Sequence, residues 1–272
     1  MDRIQKALDL SRSQQRPYTA PPAEDHRNER EALAREFSQR TVEYHARLKL
    51  DWPALRHKRV ICGDDKHAAG HAYRMLRTQI LQRSRAHGLH TIGIASATNG
   101  EGKTLTAVNL ALSLAAEPNQ RVLLIDLDLR RPNVAHTLGM SGAERGLESW
   151  FNGDLPVKQV CYGIEGMERL FVIPTLAPIL GSSEVLADIA TRRLINDLKD
   201  RDPGRLLIVD LPPVLLSDDA LMMAPLLDAV VLVVDERRSK REDVARVIEL
   251  LHDTRIVGTV LNRSSESERR AY

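Results

Sequence analysis

The chain is 272 residues long, with 39 lysines and arginines against 37 aspartates and glutamates and a net charge of +2. Both signs are interspersed, which argues against non-specific nucleic-acid binding, and no apolar run approaches the ~18 residues that span a bilayer. The opening Met1 to Lys6 has no apolar stretch of a secretory signal, and Cys62 and Cys161 show no Cys-x-x-Cys spacing; two ordinary thiols in a reducing, cytosolic setting are expected.

This length accommodates one large α/β domain plus an extension, and residues 1–58 differ in pattern from the rest. Ile4, Ala7 and Leu8 fall at helical spacing, Arg16 to Arg27 is a polar linker with Pro17, Pro21 and Pro22, and Glu29 to Leu50 is helical in pattern. Leu33, Phe37 and Tyr44 give that last stretch only a thin apolar stripe among alternating charges, too little to stand alone. It reads either as a solvated, partly disordered extension or as a docking element for a partner protein. A globular domain is expected over residues 59–262, its pattern becoming clear from His71.

The strand Ile92 to Ser96 leads through a glycine-rich turn into a helix from Leu105 to Ala116. Apolar strand runs follow at Arg121 to Asp126, Leu170 to Ile173, Leu206 to Asp210, Ala229 to Val234 and Ile256 to Leu261, with helical stretches at Ser183 to Leu198 and Lys240 to Leu251. Near-continuous apolar strands alternating with helices predict a three-layer α/β fold, a doubly wound, mostly parallel sheet covered on both faces. Ligands then sit at the carboxyl ends of the strands. Residues 263–272 are polar and read as a flexible tail.

The turn Ala97-Thr98-Asn99-Gly100-Glu101-Gly102-Lys103-Thr104 has the layout of a phosphate-binding P-loop, although the simple Gly-x-x-x-x-Gly-Lys-Thr pattern asks for Gly at position 97. Its backbone N–H groups and the helix dipole converge on an anion. Lys103 is placed to reach the β- and γ-phosphates, and the Thr104 hydroxyl to sit on Mg²⁺. Asp126, Asp128 and Asp210 follow apolar runs, where a carboxylate either caps a turn or holds a metal; the P-loop favours metal. Strand alternation puts Asp126 and Asp128 on one side, about 6.6 Å apart along the chain. One can hold metal while the other accepts a proton from an incoming hydroxyl. Arg130 and Arg131 either neutralise phosphate or are solvated surface arginines.

The stretches Ala97 to Thr104, Val122 to Pro132 and Ile208-Val209-Asp210-Leu211-Pro212-Pro213 resemble the three ATP motifs of bacterial tyrosine kinases (BY-kinases), within the wider ParA/MinD-like P-loop ATPases. Ala72 to Thr78, Ser217 to Ala220 and Gly258 to Asn262 extend the likeness over residues 60 to 262, and Met1 to Leu8 is similar to the start of the soluble exopolysaccharide autokinases. The resemblance implies an ATP- and Mg²⁺-dependent protein-tyrosine autokinase that regulates exopolysaccharide synthesis and chain length. Thr98, Asn99, Gly100, Glu101, Gly102, Lys103, Thr104, Leu105 and Asn262 would bind the nucleotide, Asn262 near the adenine. Thr104, Asp126 and Asp210 would serve the metal, and Lys103, Asp126, Asp128 and Asp210 catalysis.

Thr98 stands where MinD-like ATPases carry a signature lysine, which favours the kinase branch. The family's Glu-x-x-Arg-x-x-Arg helix, linked to self-association, appears with His71 in the acidic position and Arg74 and Arg77 retained. Relatives carry a tyrosine cluster where this chain has Tyr272 alone as candidate phosphoacceptor. The implied partners are a membrane chain-length determinant (polysaccharide co-polymerase), which would recruit a cytoplasmic protein without its own transmembrane segment to the inner membrane face, and further copies of the chain. Nucleic acid is not an expected partner. The alternative is a ParA/MinD-like ATPase switch that docks on the co-polymerase with little or no kinase activity.

Overall fold

The computed structural model describes residues 44–61, 68–153, 155–200, 202 and 204–264. All belong to one unit that begins at Val42. The features expected from Ile4 to Phe37, together with Cys62 and Tyr272, lie outside the described residues.

The chain opens with β1 (Ala46–Leu48), α1 (Trp52–His57), α2 (Ala68–His87) and β2 (Thr91–Ser96). Next come α3 (Lys103–Ala115), β3 (Arg121–Asp126), α4 (Val134–Leu138), α5 (Leu147–Phe151), β4 (Tyr162–Ile164) and β5 (Met167–Ile173). It closes with α6 (Ser182–Ala187), α7 (Ile189–Asp200), β6 (Arg205–Asp210), α8 (Asp219–Met223), β7 (Ala229–Asp235), α9 (Arg241–Leu250) and β8 (Ile256–Asn262). Among the described residues the strands form one sheet in the order β1-β4-β5-β3-β6-β2-β7-β8. Every neighbouring pair is parallel except β4 with β5.

Strands β2, β3 and β6 are buried at every position, as a sheet covered on both faces requires. Successive side chains point to opposite faces. Ile92, Ile94, Val122, Leu124 and Ile208 therefore pack under the P-loop helix α3, while Ala95, Leu123, Ile125, Leu207 and Val209 meet Leu194, Ile195 and Leu198 of α7. The expected three-layer α/β architecture is the observed one. Among the described residues no helix is long and apolar enough to cross a membrane.

Two local expectations fail. The stretch to Leu50, helical in pattern, instead holds β1, which lies parallel to β4 at the sheet edge. The His45 N–H donates to the Cys161 carbonyl at 2.7 Å, and the Tyr44 and His45 rings lie 5.7 and 5.8 Å from those of Phe171 and Tyr162. Asp51 then caps α1 by accepting the Ala54 N–H at 3.1 Å, and Leu55 is buried in the main core. Residues 46–58 thus belong to the α/β body, ahead of the expected boundary at 59. The single helix expected over Ser183 to Leu198 is two helices, because Asp188 is extended (φ −62°, ψ 145°). The Asp188 carboxylate accepts the Ala190 N–H at 2.7 Å and restarts the helix as α7.

Asp228 joins three elements before β7 begins. Its carboxylate accepts the His90 and Thr91 N–H groups at 2.7 and 2.9 Å and pairs with Lys199 of α7. Burial pushes this carboxyl up, but Lys199 and the two N–H groups outweigh it and hold the pKa below the ordinary 3.8. Such a group stabilises the fold above the unfolded pKa, and that contribution is lost as pH falls through the folded value. Asp228→Asn is therefore expected to lower the melting temperature by about 4 °C at neutral pH. The gap between variant and wild type should close in melts run at pH values below 3.8.

Candidate active site

The P-loop leaves β2 at the carboxyl end of the sheet, and α3 begins at Lys103. Gly102 takes φ +96°, and a Cβ there would lie 2.0 Å from Asn262 Nδ2. That amide donates to the Glu101 carbonyl at 2.8 Å, so the end of β8 presses directly on the loop. Gly102→Ala should weaken nucleotide binding about tenfold in calorimetric titration, because the methyl meets both backbone strain and Asn262.

One side chain of the expected nucleotide set, that of Glu101, turns inward, and so does Ala97 beside it. Glu101 is 1 % exposed, and its carboxylate accepts the Thr98 N–H at 2.9 Å and the Ser239 hydroxyl. It fixes the loop to the turn after β7 rather than facing the cleft. Ala97, where the simple motif has glycine, is buried in the α7-side core, so its methyl fills a packing position.

The carboxylates converge as expected. The register of β3 with β6 sets Asp126 beside Asp210. Lys103 Nζ donates to Asp128 Oδ2 at 2.6 Å and lies 3.5 Å from Asp210 Oδ1. The Thr104 hydroxyl donates to Asp210 Oδ2 at 2.6 Å. Asp126 accepts the N–H groups of Asn133 and Val134, each at 2.9 Å, and of Asp128 at 3.2 Å, so it shapes the turn that presents Asp128. Asp210 Oδ1 is buried with no hydrogen-bond partner.

This cluster sets the protonation equilibria. Burial pushes the Asp126 carboxyl well above its ordinary value, the neighbouring Asp210 adds to the rise, and Val134, Lys103 and Asn133 oppose it. Asp210 is likewise pushed up by burial, against the pull of Lys103 and the Thr104 hydroxyl. Burial draws the Lys103 ammonium down, but Asp210, Asp128 and Asp126 more than offset it, leaving its pKa above the ordinary lysine value. One cation thus stays charged among three buried carboxylates.

A cleft of about 1390 Å³ opens over this cluster, with Asn99, Gly100, Lys103, Thr104, Leu105 and Asn262 on its wall. Asp128 lines it; Asp126 and Asp210 sit behind. Arg130 is held away from a simple phosphate role. Its guanidinium contacts Ser182, Ser183 and the buried Asp219, which also accepts both serine hydroxyls. Sequence reasoning gives no task to Asp219, within the motif Ser217 to Ala220, although an Asp opening a helix is a readable signal. It also misses Asn109 of α3, whose amide donates to the Arg59 carbonyl at 3.1 Å and accepts the Ile61 N–H at 2.6 Å.

Comparison with known proteins decides the family. A family model described as ParA, NUBPL iron-transfer P-loop NTPase, matches residues 89–269. The tyrosine-protein kinase CpsD of Streptococcus agalactiae is 30% identical over 178 residues, covering 65% of this chain and 75% of that protein. The kinase domain of the Escherichia coli tyrosine kinase ETK is 28% identical with a TM-score of 0.65, over 75% of this chain and 80% of that one. The succinoglycan biosynthesis transport protein ExoP of Rhizobium meliloti is 27% identical over 231 residues, 81% of this chain but 28% of that protein. The chain belongs to the bacterial tyrosine kinases of the ParA-type P-loop NTPases.

A nucleotide is therefore the ligand of this kinase's P-loop. Among the described residues the iron-transfer label of the family model finds a single cysteine, Cys161. The buried Cys161 thiol is pushed up to about 12 by burial, which disfavours the thiolate that binds iron. Arg77 is tied within the chain, donating to the Ser113 carbonyl at 3.4 Å and pairing with Glu117 at 2.8 Å. The acidic partner of Arg77 is thus Glu117, just beyond the end of α3. Arg74 lies half-buried on the same helix.

Proposed function

We propose that this kinase transfers the γ-phosphoryl group of ATP to tyrosine hydroxyls and acts in exopolysaccharide synthesis. The supporting observation is Lys103, held 2.6 Å from Asp128 at the mouth of a P-loop whose Thr104 bonds Asp210. Phosphates entering the cleft compete with Asp128 for Lys103, which frees an Asp128 oxygen facing the acceptor. The bond from phosphorus to the phenolic oxygen forms as the bond to the bridging oxygen breaks. ADP leaves, and the phenolic proton passes to Asp128.

Among the described residues no group of three or more His, Cys, Asp and Glu side chains forms a metal cage. Mg²⁺ on a nucleotide needs none, since phosphate oxygens and waters supply most of its shell. The Thr104 hydroxyl and Asp210, whose Oδ1 is buried and lacks a hydrogen-bond partner, fit such an ion. When bound it neutralises phosphate charge. Asp126 then acts chiefly on the turn that carries Asp128.

The likeness to ExoP, whose name refers to succinoglycan biosynthesis transport, supports a role beside polysaccharide export. A membrane chain-length determinant is the partner this reading names, holding the kinase at the inner membrane face, with Arg74 and Arg77 near contacts between copies and Tyr272 as an acceptor. Purified chain incubated with ATP and Mg²⁺ should acquire phosphotyrosine, mapped by mass spectrometry. ATP hydrolysis without phosphotyrosine on the chain or on added tyrosine peptides would reject the kinase reading in favour of a nucleotide switch.

A further inference from the structure

The cleft wall is more basic than a nucleotide requires. Asp128 is the one acidic side chain lining it among the described residues, and Lys103 already pairs with Asp128. Arg130 is matched by Asp219. Beyond these, Arg56, Lys58, Arg59, Arg131 and Arg237 line the same cleft and are all exposed. A chain with a net charge of only +2 has concentrated cations around one opening.

The rim is also built rather than incidental. Arg59 holds a left-handed backbone, φ +64°, a conformation that non-glycine residues seldom adopt without a reason. Both sides of this turn are fastened to the P-loop helix, through the Asn109 amide to the Arg59 carbonyl and the Ile61 N–H. Lys58 Nζ donates to the His136 carbonyl of α4 at 3.0 Å, closing the rim on the side of the carboxylate cluster. Arg237 comes from the turn after β7, on a different segment.

We propose that this rim selects the acceptor: the preferred substrate is a tyrosine flanked by acidic residues on another molecule. The inference rests on the kinase reading and names its substrate class. Rim cations steer an acidic peptide toward Lys103 and Asp128 and hold the phenol over the cleft. Tyr272 is a poor match, since Arg269 and Arg270 lie three and two residues before it and are nearer than Glu268. Phosphorylation of the chain's own tail is then a slow reaction beside that of an acidic acceptor.

The test uses the full chain with ATP and Mg²⁺ and three synthetic peptides, with the tyrosine flanked by glutamates, by glutamines, or preceded by two arginines. The glutamate peptide should exceed the glutamine peptide about tenfold in kcat/KM, chiefly through KM, and about 0.3 M NaCl should erase most of the difference. Arg56→Gln combined with Arg59→Asn (asparagine tolerates the left-handed backbone) should raise KM for the glutamate peptide about fivefold. KM for ATP and turnover of the glutamine peptide should stay as in wild type. Arg237→Gln, on a separate segment, should move KM the same way, so a folding defect in the double variant does not decide the matter. Equal kcat/KM for glutamate and glutamine peptides, or losses that fall on both alike, would overturn the proposal while leaving the kinase intact. Absence of phosphotyrosine on all peptides and on the chain would reject the kinase reading itself.

Discussion

Lys103→Met should reduce phosphotyrosine formation by about 1000-fold, since it removes the one buried cation placed to meet the γ-phosphate. It should also destabilise the fold. Asp126, Asp128 and Asp210 stay within one cluster whose positive charge is Lys103, itself 8 % exposed. Removing one partner of a buried ion pair costs about 3–5 kcal/mol, which urea unfolding at neutral pH would register. The pH dependence has a definite sign. Asp126 and Asp210 already titrate above 3.8 in the folded chain, and the variant pushes them further up. The folded state then binds more protons than the unfolded one between 3.8 and those raised values, so the variant regains stability as pH falls through that window. The wild-type lysine contributes in the opposite range: its stabilisation is complete at neutral pH and is lost only as pH climbs above 10.5.

Asp210→Asn should separate stability from activity. The carboxylate is wholly buried, its Oδ1 lacks a hydrogen-bond partner, and two further carboxylates stand nearby. An amide relieves that repulsion and still accepts the Thr104 hydroxyl, and although it gives up the 3.5 Å contact of Oδ1 with Lys103, that lysine keeps Asp128 at 2.6 Å. The melting temperature is expected to hold or to rise by about 2–4 °C, while kcat falls about 100- to 1000-fold. A calorimetric melt and a phosphotyrosine assay on the same preparation check both halves; a destabilised yet active variant would contradict the assignment.

The residues proposed to carry the chemistry are the most legible part of the chain. Lys103, Thr104, Asp128 and Asp210 each stand where an apolar strand or a glycine turn ends, and parallel topology alone brings such ends together. Their distances then follow from register, Asp126 opposite Asp210. What the sequence hid was decided by partners far along the chain. Strands β1 and β4 have three residues each, too few for alternation to show. The charged pattern running to Leu50 looks helical until a sheet edge is available to it. Asp51 followed by Pro53 is a readable helix start. The inward turn of Glu101 and the grip of Asn109 have no local signature, because Ser239, Arg59 and Ile61 become their neighbours only in the folded sheet.

That grip has a spectroscopic consequence. The Ile61 amide proton sits between a half-buried residue and a wholly buried asparagine side chain in the helix that carries Lys103. Detaching it strands a buried carbonyl oxygen, which costs about 1–3 kcal/mol, so its hydrogen exchange follows the openings of that helix rather than surface fraying. A single backbone amide outside the nucleotide loop thus serves as a native gauge of how firmly the loop's helix is seated.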